Sequence, residues 1–252
     1  MNNLSTVSDT KRNFYSQHTR PINSIYRRVV EELMVEMHLL STNVDFAYNP
    51  IYALGVVSSF DRFMASYRPE GDKQSIFTAL CQSIGGTPDG YRQDATGVVE
   101  FAVSMKEQDI VSWLAEPTTE GLGTQLAGTI KTISGNPKFK YSRLFGIGLF
   151  TILEQAAPDL LKDEKQREAA VIKLGEALHI PTDKVQKDLD AYRSNLDKLV
   201  QMEAVMADVV EADRKKREKR AQDKAAATAT TTTTTPSESW FLGVSLVLTP
   251  RG

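Results

Sequence analysis

The stretch Asn136-Pro-Lys-Phe-Lys-Tyr-Ser-Arg-Leu-Phe-Gly-Ile-Gly-Leu-Phe-Thr-Ile-Leu153 decides the fold class. Asn136-Pro137 is a helix-start signal: a side chain that accepts from free N–H groups, then a residue with no N–H to satisfy. Behind it, Leu144, Phe145, Ile147, Leu149, Phe150, Ile152 and Leu153 leave almost no polar face. A helix apolar on most sides belongs inside a bundle, because only packed neighbours take that much surface out of water. Gly146 and Gly148 within it read as places where another backbone comes close.

Working upstream, the chain is a series of helices punctuated by prolines. Pro21 opens a run to about Leu40 with apolar residues at Ile22, Ile25, Tyr26, Val29, Leu33 and Met37, a helical spacing. Asn49-Pro50 starts the next, carrying Ile51, Leu54, Val57, Phe60 and Met64. Pro69 starts a third through Ile76, Phe77 and Leu80, and Gly85-Gly86 supply a left-handed exit. Thr87-Pro88 opens a long pattern through Tyr91, Val98, Phe101, Ile110 and Leu114. Gly97 is its weakest point, by ~1 kcal/mol relative to alanine. Residues 117–136, rich in Thr, Gly and Ser, are expected to form a loop. Asp163–Leu178 is a shorter amphipathic helix, and only Leu242–Leu248 alternates as a strand does. The expected fold is all-α: an N-terminal arm over residues 1–20 and a single helical bundle over 21–180.

From Pro181 the character changes. Val185, Leu189, Tyr192, Leu196, Leu199, Met206 and Val210 recur at spacings of three and four, interrupted at Glu203. That is a coiled-coil seam. A helix over 181–224 is ~65 Å long at ~1.5 Å per residue, so part of it is expected to project, although about half the seam has the alternative of folding back on the bundle. Its last part, Arg214–Arg220, reads RKKREKR. Residues 225–252 begin as low complexity, with threonines from Thr230 to Thr235, and are expected to be disordered.

Composition narrows the function classes. The chain has 252 residues, 30 Lys plus Arg against 32 Asp plus Glu, and a net charge of −2. That balance excludes a nucleic-acid binder that is basic throughout. One cysteine, Cys81, excludes a disulfide framework and a cysteine-built metal site, and three histidines are little material for another. The opening residues carry no apolar signal-peptide core and no long acid-poor presequence. No window reaches the ~18–20 apolar residues that span a bilayer. Trp240–Leu248 is the strongest apolar run near an end and is too short to cross as a helix.

The motifs of catalysis are missing. Gly121-Leu-Gly123 is followed by Leu126 where a dinucleotide fingerprint needs glycine, and no glycine precedes Lys131-Thr132 as in a P-loop. There is no Glu-x-x-His for a helical di-iron site. Glu32 and Glu36 share a helix face and read as solvated or salt-bridged; Cys81 falls on the apolar spacing of Phe77, Leu80 and Ile84 and reads as a buried thiol. No cofactor is implied. The candidate functional residues are therefore surfaces. Lys11, Arg12, Phe14, His18 and Arg20 lie in a stretch that either packs an arm over the bundle or offers an aromatic–arginine face to a partner. Leu189, Tyr192, Leu196, Leu199, Met206 and Val210 form the seam open to a partner helix. Arg214, Lys215, Lys216, Arg217, Lys219 and Arg220 suit a solvated helix end or an anionic contact, with nucleic acid the least favoured.

Several blocks carry a family resemblance. Asp9-Thr-Lys-Arg12 and the run His18–Leu33 (HTRPINSIYRRVVEEL) resemble the thylakoid formation family, the photosystem II biogenesis factors of cyanobacteria and chloroplasts. Glu36-Met-His-Leu-Leu40, Asn43-Val-Asp45, Phe60-Asp-Arg-Phe63, Tyr67-Arg-Pro69, Ile76-Phe77, Ala79-Leu-Cys-Gln82, Tyr91-Arg92 and Tyr141–Gly148 continue the resemblance, which covers roughly 7–215. It implies a non-enzymatic accessory protein of photosynthetic membranes, all-helical with a C-terminal coiled coil. It further implies a role in thylakoid biogenesis and photosystem II assembly and repair. The partner it implies is a membrane-bound protease complex of the FtsH type, with photosystem II or its assembly intermediates as a second. The expected location is the cytoplasmic face of the thylakoid membrane, held peripherally, in a cyanobacterium. The competing expectation is a pigment- or lipid-binding protein with a pocket in the bundle.

Overall fold

The computed structural model describes residues 5–105, 107–118 and 123–231. Among these the chain forms ten helices and no strand: α1 (Val7–Gln17), α2 (Ser24–Ser41), α3 (Pro50–Phe63), α4 (Glu70–Ser83), α5 (Pro88–Ser104), α6 (Glu107–Ala115), α7 (Thr124–Ser134), α8 (Arg143–Ala156), α9 (Glu164–Ala177) and α10 (Thr182–Thr231). The class is all-α, with the long C-terminal helix in place. Two compact units divide the chain, residues 1–200 and 201–252.

The first unit is built round two helices rather than one. Helix α8 is buried along nearly its whole length, and α3 equally so from Ile51 to Phe60. Their backbones touch. A Cβ on Gly148 would stand 1.9 Å from the Ile51 carbonyl oxygen, and one on Gly55 would stand 1.7 Å from that of Leu144. Glycine is required at both, because any side chain would force the helices apart. Helix α5 packs on both, α6 on α9, and α1 on α4 and α2.

The structure departs from the sequence reading at five places, each with a physical cause. Residues 1–20 contain a helix: Thr6 accepts from the Asp9 N–H at 3.2 Å while its own N–H donates to Asp9 Oδ2 at 3.0 Å, a capping box. Residues 124–134, expected as loop, are α7, whose Leu126, Ala127, Ile130 and Ile133 are buried. That buried apolar face holds the segment helical, and its Thr129 and Thr132 hydroxyls are satisfied by carbonyls four residues back. The break between α5 and α6 falls at Met105, where the backbone is extended, and Gly97 lies inside α5. Helix α8 begins after Ser142, whose hydroxyl accepts from the Phe145 N–H at 3.1 Å, whereas Asn136 caps only a turn at Lys138. Finally, α10 runs past Lys224 to Thr231, through the alanines of 225–229, the best helix formers. The remainder of the 225–252 tail, with the strand-like Leu242–Leu248, lies outside the described residues.

The boundary between the parts moves as well. Val185, Leu189, Tyr192 and Leu199 are buried in the hydrophobic core, so the first unit takes in the seam up to Val200 instead of ending at Ile180.

Candidate interaction surfaces

Helix α1 and the residues that follow it place the five candidates in two groups. Phe14 is fully buried, edge-to-face with Tyr15 at 5.0 Å. His18 is 1% exposed, its Nδ1 3.0 Å from the Ser75 hydroxyl on α4. Burial holds the His18 imidazole below its usual range, with Asp72 opposing that shift. On the same face Thr10 Oγ1 lies 2.8 Å from His38 Nδ1 on α2. Phe14 and His18 therefore fasten the arm and present nothing to a partner. Lys11, Arg12 and Arg20 reach solvent, paired with Glu31 at 3.1 Å, Asp9 at 3.2 Å and Asp72 at 2.7 Å respectively.

A groove of about 970 Å³ opens along the outer face of α2. Its walls are α2, the strand-free segment Tyr141–Arg143 and the first turns of α10, all within the first unit. Val35 and Leu39, one helical turn apart, stand 38% and 58% exposed in it. Round them the charges are compensated. Arg143 donates to Glu36 Oε2 from Nη2 at 2.6 Å and Nε at 3.1 Å. Burial pushes the Glu36 carboxyl above its usual range in spite of that partner. Arg28 meets Glu32 at 3.0 Å, and the Tyr141 hydroxyl donates to Asp188 at 3.1 Å. Lys184 Nζ lies 5.3 Å from the Tyr141 ring centre. Glu32 and Glu36 are thus salt-bridged, as the sequence suggests, but the groove they border was not legible. Its second wall comes from residues more than a hundred positions away, and the only early signal was the pair Val35 and Leu39 on a charged helix face.

The seam on α10 is divided too. Leu189, Tyr192 and Leu199 are buried and Leu196 is partly so, with Tyr192 edge-to-face on Phe63 at 5.6 Å. A partner helix has no access to them. Met206 and Val210, in the second unit, are 45% and 66% exposed. Arg214, Lys215, Lys216, Arg217, Lys219 and Arg220 are all exposed, with Arg214 paired to Glu218 at 3.8 Å and Lys215 to Glu211 at 2.8 Å.

Chemical groups offer less. Burial pushes the Cys81 thiol up to about 12, which keeps it protonated and unreactive. Among the described residues no three His, Cys, Asp or Glu side chains are grouped as a metal would need. No helix there is long and apolar enough to cross a membrane. The apolar gap between α8, α9 and α10 holds about 10 Å³, room for roughly one water.

These features define an all-α protein whose accessible specialisations are a groove and a long charged helix. Residues 6–221 match the family model described as thylakoid formation protein, and the chain belongs to that family. Protein Thf1 of Trichormus variabilis is 61% identical over 219 residues, covering 87% of this chain and 94% of its own. Protein Thf1 of a Nostoc species is 60% identical with the same coverage. The solved structure of Psb29 is similar at 41% identity with a TM-score of 0.65, over 77% of this chain and 97% of that one. The match confirms the family resemblance and extends it through the basic run to Ala221.

Proposed function

We propose that this protein is a non-enzymatic accessory factor for thylakoid membrane biogenesis and photosystem II assembly and repair. It acts as an adaptor for a membrane-bound FtsH-type protease, held peripherally on the cytoplasmic face of the thylakoid membrane. Family membership supports the process. The observation that carries the adaptor part is the α2 groove. It is open along its length, with two exposed aliphatic side chains at i and i+4 and ion pairs round them. That form suits a partner helix laid on its apolar face better than a small ligand, which needs enclosure. The docking surface thus shifts from the α10 seam, whose first half is core, to α2.

Photo-crosslinking tests this directly. A photoreactive residue at position 39 of the full chain, activated in isolated thylakoids, is expected to capture a protease subunit. The same residue at position 103, on exposed Val103 of α5, is not. Equal capture from both positions, or none from 39, would contradict the docking site.

A further inference from the structure

Helix α10 divides the cluster Arg214–Arg220 between two faces. Arg214 and Lys215 are drawn to Glu218 and Glu211 one turn away. Lys216, Arg217 and Arg220 have no ion pair among the described residues, and they stand on the other side. The spacing then adds a second fact. Positions 205 and 206 lie three and four residues past 202, and 209, 213, 216 and 220 follow 206 at threes and fours, the spacing that keeps a single face of a helix. That face carries exposed Met202, Val205, Met206 and Val209 over its first turns and Lys216 and Arg220 over its last, with Asp213 between them. The opposite face, at 204, 208, 211, 215 and 218, holds the acids Asp208, Glu211 and Glu218.

We propose that this face of residues 202–220 is a lipid-binding surface that lies against an anionic leaflet. The proposal deepens the peripheral-membrane part of the function given above and rests on it. Charge complementarity favours an anionic surface: Lys216, Arg217 and Arg220 share or border the apolar face, with Lys219 alone of the unpaired cations turned away, and Asp208, Glu211 and Glu218 point the other way, leaving Asp213 as the one acid within the face. A leaflet fits better than a protein. A specific interface buries ~800 Å² on each partner and centres on aromatic or arginine anchors, whereas this stripe is a handful of half-exposed valines and methionines without an aromatic. A leaflet demands no matching shape, accepts Val and Met side chains at its acyl boundary, and adds attraction for each cation at its surface. A second copy fits worse: a parallel pair would bring two sets of unpaired cations together.

Flotation of the full chain with vesicles decides the matter. Vesicles of equal phosphatidylglycerol and phosphatidylcholine are expected to bind it, and phosphatidylcholine alone to bind far less. K216Q/R217Q/R220Q should weaken binding about a hundredfold. R214Q/K215Q should weaken it only severalfold, because the ~10 Å width of a helix is one Debye length at ~0.1 M salt. V205Q/V209Q, which keeps good helix formers, should leave a residual binding that salt abolishes. Unchanged helicity by circular dichroism validates each variant. Three results would overturn the proposal: no binding to anionic vesicles at low salt, equal losses from both cation variants, or a concentration-dependent dimer that V205Q/V209Q dissolves. Since only lipid and this chain are present, failure here leaves the crosslink to the protease untouched, and failure of that crosslink leaves this result standing.

Discussion

Gly148 shows how much a single missing atom settles. With its Cβ position 1.9 Å from the Ile51 carbonyl oxygen, Gly148→Ala has no flexible neighbour to displace and must separate α3 from α8. We expect a loss of about 3 kcal/mol or more, read as a lower urea midpoint at unchanged slope. Gly148 was legible as a close-packing position because it interrupts an otherwise continuous apolar run, but Gly146, read the same way, faces the Tyr141 side chain and no other backbone. The counterpart Gly55 was not legible, since a lone glycine in an apolar helix says nothing about where the other helix lies. His18 carries a second prediction at this scale. Its folded imidazole titrates below the ordinary 6.5, so the unfolded chain takes up the proton first as pH falls. Stability contributed by neutral His18 is complete above 6.5 and is lost as pH drops through that value toward the depressed one. The slope for one proton does not exceed ~1.4 kcal/mol per pH unit. Denaturation midpoints from pH 7.5 to 5 should fall less steeply for His18→Asn, which keeps a polar atom toward Ser75; an unaltered slope would assign the pH dependence elsewhere.

Among the elements, α1 and α7 are where local sequence misleads most. Helix α1 has only one fully buried apolar side chain, Phe14, and is held further by the polar contacts Thr10–His38 and His18–Ser75 and by Tyr15 and Lys11 on Glu31 of α2. An aromatic among cations looks like a binding face until its tertiary pocket is known. Truncation by Phe14→Ala should cost about 3–5 kcal/mol and release α1 first, seen as faster hydrogen exchange across residues 7–17 than across α3. Thr6→Ala, which removes the cap alone, should cost about 1 kcal/mol. Helix α7 was hidden by composition: threonine and glycine fill its solvent side, and its buried residues follow a helical period too short to stand out. By contrast, α3, α4 and α9 were legible nearly to the residue, because a cap or a proline marks where each begins, whereas α2 starts at Ser24 under an Asn23 cap, three residues past the proline that sequence takes as its start.

At the scale of the whole molecule, the net charge of −2 averages unlike parts. The first unit neutralises many of its charges in pairs between helices, such as Glu36–Arg143, Asp61–Arg92 and Arg62–Glu154. The second sets Lys216, Arg217 and Arg220, which have no ion pair among the described residues, toward one side of α10. Sequence showed the basic run and its period but could not divide the seam at Val200, since buried and exposed heptads read alike until the packing is seen. As proposed above, the α2 groove would take the protein partner and residues 202–220 the membrane, two tasks for two surfaces. A tagged full-length chain expressed in a cyanobacterium tests that division most directly, by measuring membrane-bound fraction and protease recovery together. Val35→Glu/Leu39→Glu should stay with the membranes and lose the protease, while K216Q/R217Q/R220Q should leave the membranes yet still recover protease once they are solubilised. Undiminished protease recovery from the groove variant would contradict the account.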